Sequence, residues 1–455
     1  MVGRYWVETL GCPKNQVDSD KLAGTLEADG LGPATDPAHA DVVVVNTCAF
    51  IDAARQESID AILDLADRRR PGARLVVTGC MAERYGQELA DALPEVDLVA
   101  GFGVALTHRP DQGQPLAGQA ATGQPVPVAL GRRPLDSRPI DSRPLDGRPP
   151  DGSARFDLLN LPRPRSGAPW AYVKVAEGCD RRCGFCAIPS FRGRQRSRAQ
   201  GEILAEVDDL GAAEIVLVAQ DLASYGRDIG ERGAIVALVR EVARRTERTR
   251  LLYLYPSELT ESLIEVIGST GCPYFDLSLQ HVSRPHLRRM RRWGDGARFG
   301  ERLRRIRGLY PDAALRSSFI IGYPGETEED HDLLLGFLAE AELDWAGFFA
   351  FSPEEGTHAL TLPDQVDGAL AAERLAECGE LQDRITARRR DDLIGTSLRV
   401  LVDAPGVGRS HREAPEIDGV VRLPEDLVTA TFVDVVVVGA QGPDLDAIAV
   451  PAAVR

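Results

Sequence analysis

Long apolar runs are missing from this sequence. The longest are short patches such as Val42 to Val45, against the roughly 20 consecutive apolar residues a bilayer-spanning helix needs, so a membrane protein of that kind is excluded. Met1 to Leu10 also lack the charged-then-apolar order of a secretory leader, and a cytoplasmic location is expected. Cysteine is sparse, with 8 in 455 residues, too few for a disulfide framework. Basic charge is in deficit: 53 Lys and Arg against 69 Asp and Glu leave a formal charge of −16. That balance opposes nonspecific attachment to a phosphate backbone and suits a basic protein partner. With 44% apolar residues over this length, the chain can bury two to four cores.

Three apolar runs near the start each end in a cysteine: Tyr5 to Cys12, Asp41 to Cys48 and Arg74 to Cys80. They read as strands separated by helical patterns at Gln16 to Ala28 and Ile51 to Arg69. Such units run parallel, so every strand ends at one sheet edge and the three thiols converge there. From about Thr107 to Arg165 the composition shifts to Pro, Gly, Gln, Arg and Asp, with a five-residue near-repeat in Arg133 to Gly152. Proline every fifth residue blocks helices and ladders alike, which predicts a disordered linker. Six strand-like runs follow: Trp170 to Val175, Glu214 to Gln220, Leu251 to Tyr255, Phe275 to His281, Leu315 to Gly322 and Trp345 to Phe351. Helical patterns between them predict an incomplete (β/α)6 barrel. Short β-rich runs at Leu398 to Asp403 and Thr431 to Val438 predict a small antiparallel β-barrel at the end. The fold class is therefore α/β, with an N-terminal parallel-sheet domain at 1–106, a linker at 107–165, the barrel at 166–392 and the small β-barrel at 393–455.

Cys179, Cys183 and Cys186 form C-x3-C-x2-C directly after the first barrel strand, in EGCDRRCGFCAIPSFRG. Three thiolates so spaced can hold three irons of a four-iron, four-sulfur cluster and leave the fourth open, whereas a purely electron-carrying cluster of this type normally has four Cys ligands. Zinc is the alternative, but no second pair of Cys or His follows at zinc-site spacing. For Cys12, Cys48 and Cys80, the strand-end pattern alone leaves open three buried cysteines without a shared role.

The triplet at Cys179 to Cys186 resembles the signature of the radical S-adenosylmethionine (SAM) superfamily. The strings TLGCPKNQVDSD, VVVVNTCAF and VVTGCMAERY resemble its methylthiotransferase family. The resemblance implies that SAM chelates the open iron through its amino and carboxylate groups and that Phe185 lies beside the adenine. It also implies that Cys12, Cys48 and Cys80 hold a second 4Fe-4S cluster, where the sulfur to be inserted is kept. CPKN, CAIPSFRG, LSLQHVS, IIGYPGET, FSPEEGT and APEIDG are similar to the branch that adds a methylthio group to an aspartate β-carbon in protein twelve of the small ribosomal subunit. That activity implies a low-potential electron donor and a sulfur source as further partners. The sequence departs from the family at Asp20, Leu222 and Glu413, none of them a cluster ligand.

The C-terminal barrel resembles a TRAM domain. From Leu393 to Arg455 it holds five Arg, no Lys and nine Asp plus Glu, 5 − 9 = −4, which favours a basic protein over tRNA. Modification of a tRNA adenosine is the first alternative, and a noncatalytic iron-sulfur carrier or RNA-binding module the second. Gln220, Asp221, Gln280, Arg316, Gly322 and Pro324 are candidate SAM contacts because strand ends build barrel sites. His281 reads as structural. The ten arginines from Arg284 to Arg307 read as the solvent face of one amphipathic helix built on Leu287, Met290 and Trp293. Cys272 and Cys378 stand alone.

Overall fold

A computed structural model describes residues 3–106 and 157–450; the near-repeat in Arg133 to Gly152 and most of the expected linker lie outside the described residues. The chain divides into two compact units, Met1–Ala49 with Ala53–Arg163, and Phe50–Asp52 with Pro164–Arg455. Among the described residues no helix is long and apolar enough to cross a membrane.

The first unit is a parallel sheet in the order Gly32–Pro33, Arg4–Thr9, Val42–Thr47, Arg74–Gly79, Leu98–Val99. Val43 to Val45 and Leu75 to Val77 are fully buried, as expected for central parallel strands covered on both faces. Helices Pro13–Ala28, Asp52–Arg68 and Cys80–Ala92 follow the three long strands. The last part of the expected linker is ordered. Leu158–Asn160 form a 3-10 turn whose Leu158 and Leu159 are buried. Lys21 Nζ donates to the Leu159 carbonyl, and Arg163 Nη1 pairs with Asp20 Oδ2 at 2.7 Å. The surrounding Pro and Arg conceal this short apolar string in any average over the segment.

In the second unit, strands Trp170–Lys174, Glu214–Val218 and Arg248–Leu251 form one parallel sheet. Tyr274–Gln280, Ala314–Ile321 and Trp345–Ala350 form another. A parallel bridge between Leu254 and Leu277 joins them into an incomplete barrel of six strands. The third strand lies earlier than the apolar run Leu251 to Tyr255. Arg248 and Arg250 occupy it, their buried guanidiniums held by Glu214 and by backbone carbonyls, so hydropathy alone passes over it. The arginine-rich stretch is two helices, Arg284–Arg289 and Gly296–Leu309, parted by a turn where Arg291 and Gly294 take positive φ. It is not one amphipathic helix.

The C-terminal strands close into a five-stranded barrel, Ser397–Ala404, Val407–Arg409, Val421–Arg422, Asp444–Ala449 and Phe432–Gln441 in spatial order. All neighbours are antiparallel except Val421–Arg422 with Asp444–Ala449, which is parallel. Residues 409–418 leave this barrel and plug the amino end of the larger one, where each of the six strands holds them. Tyr172 Oη donates to the Pro415 carbonyl and Trp345 Nε1 to that of Arg412. Tyr274 Oη donates to Asp418 Oδ2, and Arg316 Nε lies 3.4 Å from Asp418 Oδ1. Arg248 and Arg250 donate to the carbonyls of Arg409, Ser410 and His411. Glu214 accepts from Arg250 Nε at 2.7 Å and Arg409 Nη1 at 3.0 Å. Burial would raise the Glu214 carboxyl, but Arg250, Arg409 and Arg248 together hold it down at about 2.

Candidate functional site

Two groups of cysteines sit at strand carboxyl ends, one in each unit. In the first unit Cys12 precedes helix Pro13–Ala28, Cys48 follows strand Val42–Thr47, and Cys80 opens helix Cys80–Ala92. Cys12 and Cys80 thus lie at the positive ends of helix dipoles, which favour thiolates and anionic ligands. Sequence reasoning missed Asn15, which is fully buried and draws the three loops together. Its Nδ2 donates to the carbonyls of Leu10 at 2.9 Å and Thr47 at 3.0 Å, and its Oδ1 lies 3.7 Å from Cys80 Sγ. Gly11 has φ +92, and a Cβ there would fall 2.9 Å from Cys48 Sγ, so only glycine lets the Cys12 loop close over Cys48.

In the second unit the loop Cys179 to Cys186 covers the carboxyl end of the first barrel strand. Arg181 N donates to Cys179 Sγ at 3.4 Å, and Arg292 Nη1 to Cys183 Sγ at 3.4 Å. Burial pushes the Cys179 thiol up to about 11 and the Cys186 thiol up to about 12, so deprotonation needs a cation beside them. The loop is pinned at Gly184, whose N donates to the Met290 carbonyl at 2.7 Å. A Cβ on Gly184 would meet Tyr323 Oη at 2.7 Å. Phe185 packs part-buried against the barrel core.

The other candidate contacts divide. Gln220 and Asp221 follow the second strand. Gln220 Nε2 donates to Glu177 Oε1, and Asp221 Oδ2 accepts from Arg181 Nε at 2.6 Å. Gln220 Oε1 and Asp221 Oδ1 are buried without a donor. Gln280 ends its strand at φ +71, beside a register shift. Gly322 and Pro324 are buried in the loop after Ala314–Ile321. Arg316 does not end a strand. It is the third residue of Ala314–Ile321, paired with Asp276 at 3.0 Å and facing Asp418 in the plug. Arg181, Tyr255 and Arg292 were missed, since charge patterning assigned Arg292 to solvent and its burial follows only from the turn between the two helices.

These donor sets fit iron-sulfur clusters. Each offers three sulfur ligands, the second with N–H groups aimed at sulfur, and the orphaned acceptors of Gln220 and Asp221 fit the amino or hydroxyl donors of SAM. His281, His286 and Glu326 also lie close, their candidate ligand atoms within 4.8 Å of one another. Ser283 N donates to His281 Nδ1 at 3.1 Å, so a neutral His281 carries its proton on Nε2 and cannot ligate a metal through it. Both oxygens of Glu326 already accept, from Gly322 N and Arg374 Nη1. Cys272 and Cys378 are buried core residues.

Burial pushes His281 down to about 3 and His286 down to about 4 from 6.5. Both are neutral when folded, so their contribution is complete above pH 6.5 and is lost as pH falls toward those values. Moving from pH 7 to pH 5 therefore costs about 2 kcal/mol for each ring, 1.5 units at about 1.36 kcal/mol per unit. A His281→Gln, His286→Gln double variant is expected to flatten the fall in melting temperature over this range. Parallel curves for the two proteins would refute the assignment.

Comparison with known proteins covers most of the chain. Residues 4–101 match the family described as Uncharacterized protein family UPF0004, residues 173–338 the radical SAM superfamily, and residues 394–450 the TRAM domain. The chain is 43% identical to the Streptomyces coelicolor protein named ribosomal protein uS12 methylthiotransferase RimO, over 96% of this chain and 94% of that one. The Moorella thermoacetica protein of the same name is 42% identical over 93% of each. Among solved structures, the radical SAM methyltransferase TsrM of Kitasatospora setae aligns with a TM-score of 0.48 at 14% identity, over 85% of this chain and 89% of that one.

Proposed function

Because the chain belongs to the RimO family of ribosomal protein uS12 methylthiotransferases, radical SAM enzymes, we propose that it adds a methylthio group to the β-carbon of an aspartate in uS12, the small-subunit protein twelve. One observation carries the reading: each of two separate units brings three cysteines to the carboxyl ends of parallel strands. Similarity along nearly the whole chain supports the substrate.

Cys179, Cys183 and Cys186 would hold three irons of a 4Fe-4S cluster and leave the fourth for SAM. When bound and reduced, this pair supplies a carbon radical able to take hydrogen from an unactivated carbon. Gln220 Oε1 and Asp221 Oδ1, buried without a donor, would accept from the cofactor's amino or hydroxyl groups. Gly322 and Pro324 remain contacts by their place in the loop after Ala314–Ile321, a Cβ on Gly322 being excluded by Ala371 at 2.7 Å, and Phe185 offers an apolar face for the adenine. Asp221 also fixes Arg181 and through it the cysteine loop. Cys12, Cys48 and Cys80 would hold the second cluster, which carries the sulfur to be inserted. No protein base of ordinary pKa removes a proton from that β-carbon, so the chain's own task is to hold, orient and shield. A low-potential electron donor and an external sulfur source complete the balance. Action on a ribosomal protein supports a cytoplasmic location.

The test supplies the anaerobically reconstituted protein with reductant, SAM and either uS12 or tRNA. Mass spectrometry is expected to find a methylthio group on a uS12 aspartate. Product on tRNA alone would sink the ribosomal substrate, and no SAM cleavage at all would leave a noncatalytic iron-sulfur protein.

A further inference from the structure

We infer that Arg292 raises the reduction potential of the cluster held by Cys179, Cys183 and Cys186, by directing a fixed guanidinium at the Cys183 sulfur. The inference rests on the proposed assignment of these three cysteines as ligands.

Arg292 stands among ten arginines, yet it is buried while its neighbour Arg291 is exposed. Its Nη2 donates to the Ser278 carbonyl at the end of a barrel strand. Its Cζ lies 3.9 Å from the centre of the Tyr255 ring, which also carries Arg181 at 4.0 Å. These two anchors leave Nη1 directed at Cys183 Sγ, 3.4 Å away. No carboxylate pairs with Arg292 among the described residues, although Arg181 beside it has both Asp221 and Glu258. A buried cation without a counter-charge is costly. The thiolates are the anions within its reach, and three of them on a cluster complete the pair.

Reduction adds one electron to the cluster from an external low-potential donor, with no protein bond formed or broken and no proton moved. The reduced state carries one more negative charge. A nearby cation and an N–H···S bond therefore stabilise it more than the oxidised state, and more strongly in a site screened from water.

The test uses the full-length protein with Cys12, Cys48 and Cys80 replaced by alanine, so that one cluster remains, reconstituted without oxygen and titrated with reductant under electron paramagnetic resonance. In R292Q the reduced-to-oxidised ratio at a fixed poise is expected to fall about tenfold, equivalent to about 59 mV for a one-electron couple, with iron content unchanged. R292K keeps the charge without the two-pronged reach and is expected to fall between. Y255L, which removes the ring beneath the guanidinium, is expected to shift in the same direction as R292Q. A parental potential in R292Q, or in Y255L should R292Q not load iron, overturns the inference. Failure of both to load iron overturns it too, by assigning the contact to cluster retention. A parent protein that binds no cluster refutes the ligand assignment instead.

Discussion

Replacing Cys12, Cys48 and Cys80 together by alanine is expected to leave SAM cleavage within about twofold of the parent while methylthio transfer falls by at least about a thousandfold, some 4 kcal/mol in the barrier. The separation follows from the division of the chain. These cysteines lie in a unit with its own parallel sheet, while the hydrogen bonds of Arg181, Arg292 and Gly184 that order the Cys179 to Cys186 loop lie within the other unit. Bound iron should fall from about eight to about four per chain. The readouts are 5′-deoxyadenosine by chromatography, modified uS12 by mass spectrometry, and iron by colorimetry. Full iron content or undiminished transfer in the triple variant would remove the second cluster from the proposed function. Asn15→Ala is a milder form of the same experiment, because it loosens the three loops without removing a ligand.

The second large effect is on stability. Glu214 is fully buried and pairs with Arg250, Arg409 and Arg248. Glu214→Ala leaves those guanidiniums buried against backbone carbonyls with Asp403 as the remaining carboxylate, on Arg409. A cost of about 3–5 kcal/mol is expected, as for breaking buried ion pairs generally. It should appear as a lowered melting temperature and early proteolytic release of the C-terminal barrel. Glu214→Met combined with Arg250→Leu should recover part of the loss, since replacing both partners by apolar groups removes the stranded charge. A melting temperature unchanged in Glu214→Ala would show that water enters the network and that its members are not truly desolvated.

The parts of this protein legible in its sequence are those that hydropathy and cysteine spacing encode. Valine-rich runs located the central strands of the first unit, and parallel topology then required Cys12, Cys48 and Cys80 to share an edge. Charge hid the rest. The third barrel strand carries Arg248 and Arg250, so its apolar signal is displaced toward Tyr255. Arg292 is buried because a turn breaks what reads as one amphipathic helix, and Arg316 faces the plug because its strand begins at Ala314. Each of these arginines meets its hydrogen-bond partners on other elements of the fold, a relation that local composition does not express. The turn at Leu158–Asn160 was lost for a different reason, a short apolar string averaged into a Pro-rich segment.

The floor of the large barrel is completed by the segment that follows it. Glu214 meets Arg409 across 195 residues, and Arg248 meets the Arg409 carbonyl across 161. A chain emerging vectorially exposes those strands well before these partners exist, and contacts of such sequence separation form slowly. Biogenesis therefore leaves the barrel's charged base wet and pliable until residues 409–418 have been translated, so that a segment made well after the six strands commits the scaffold to its mature form.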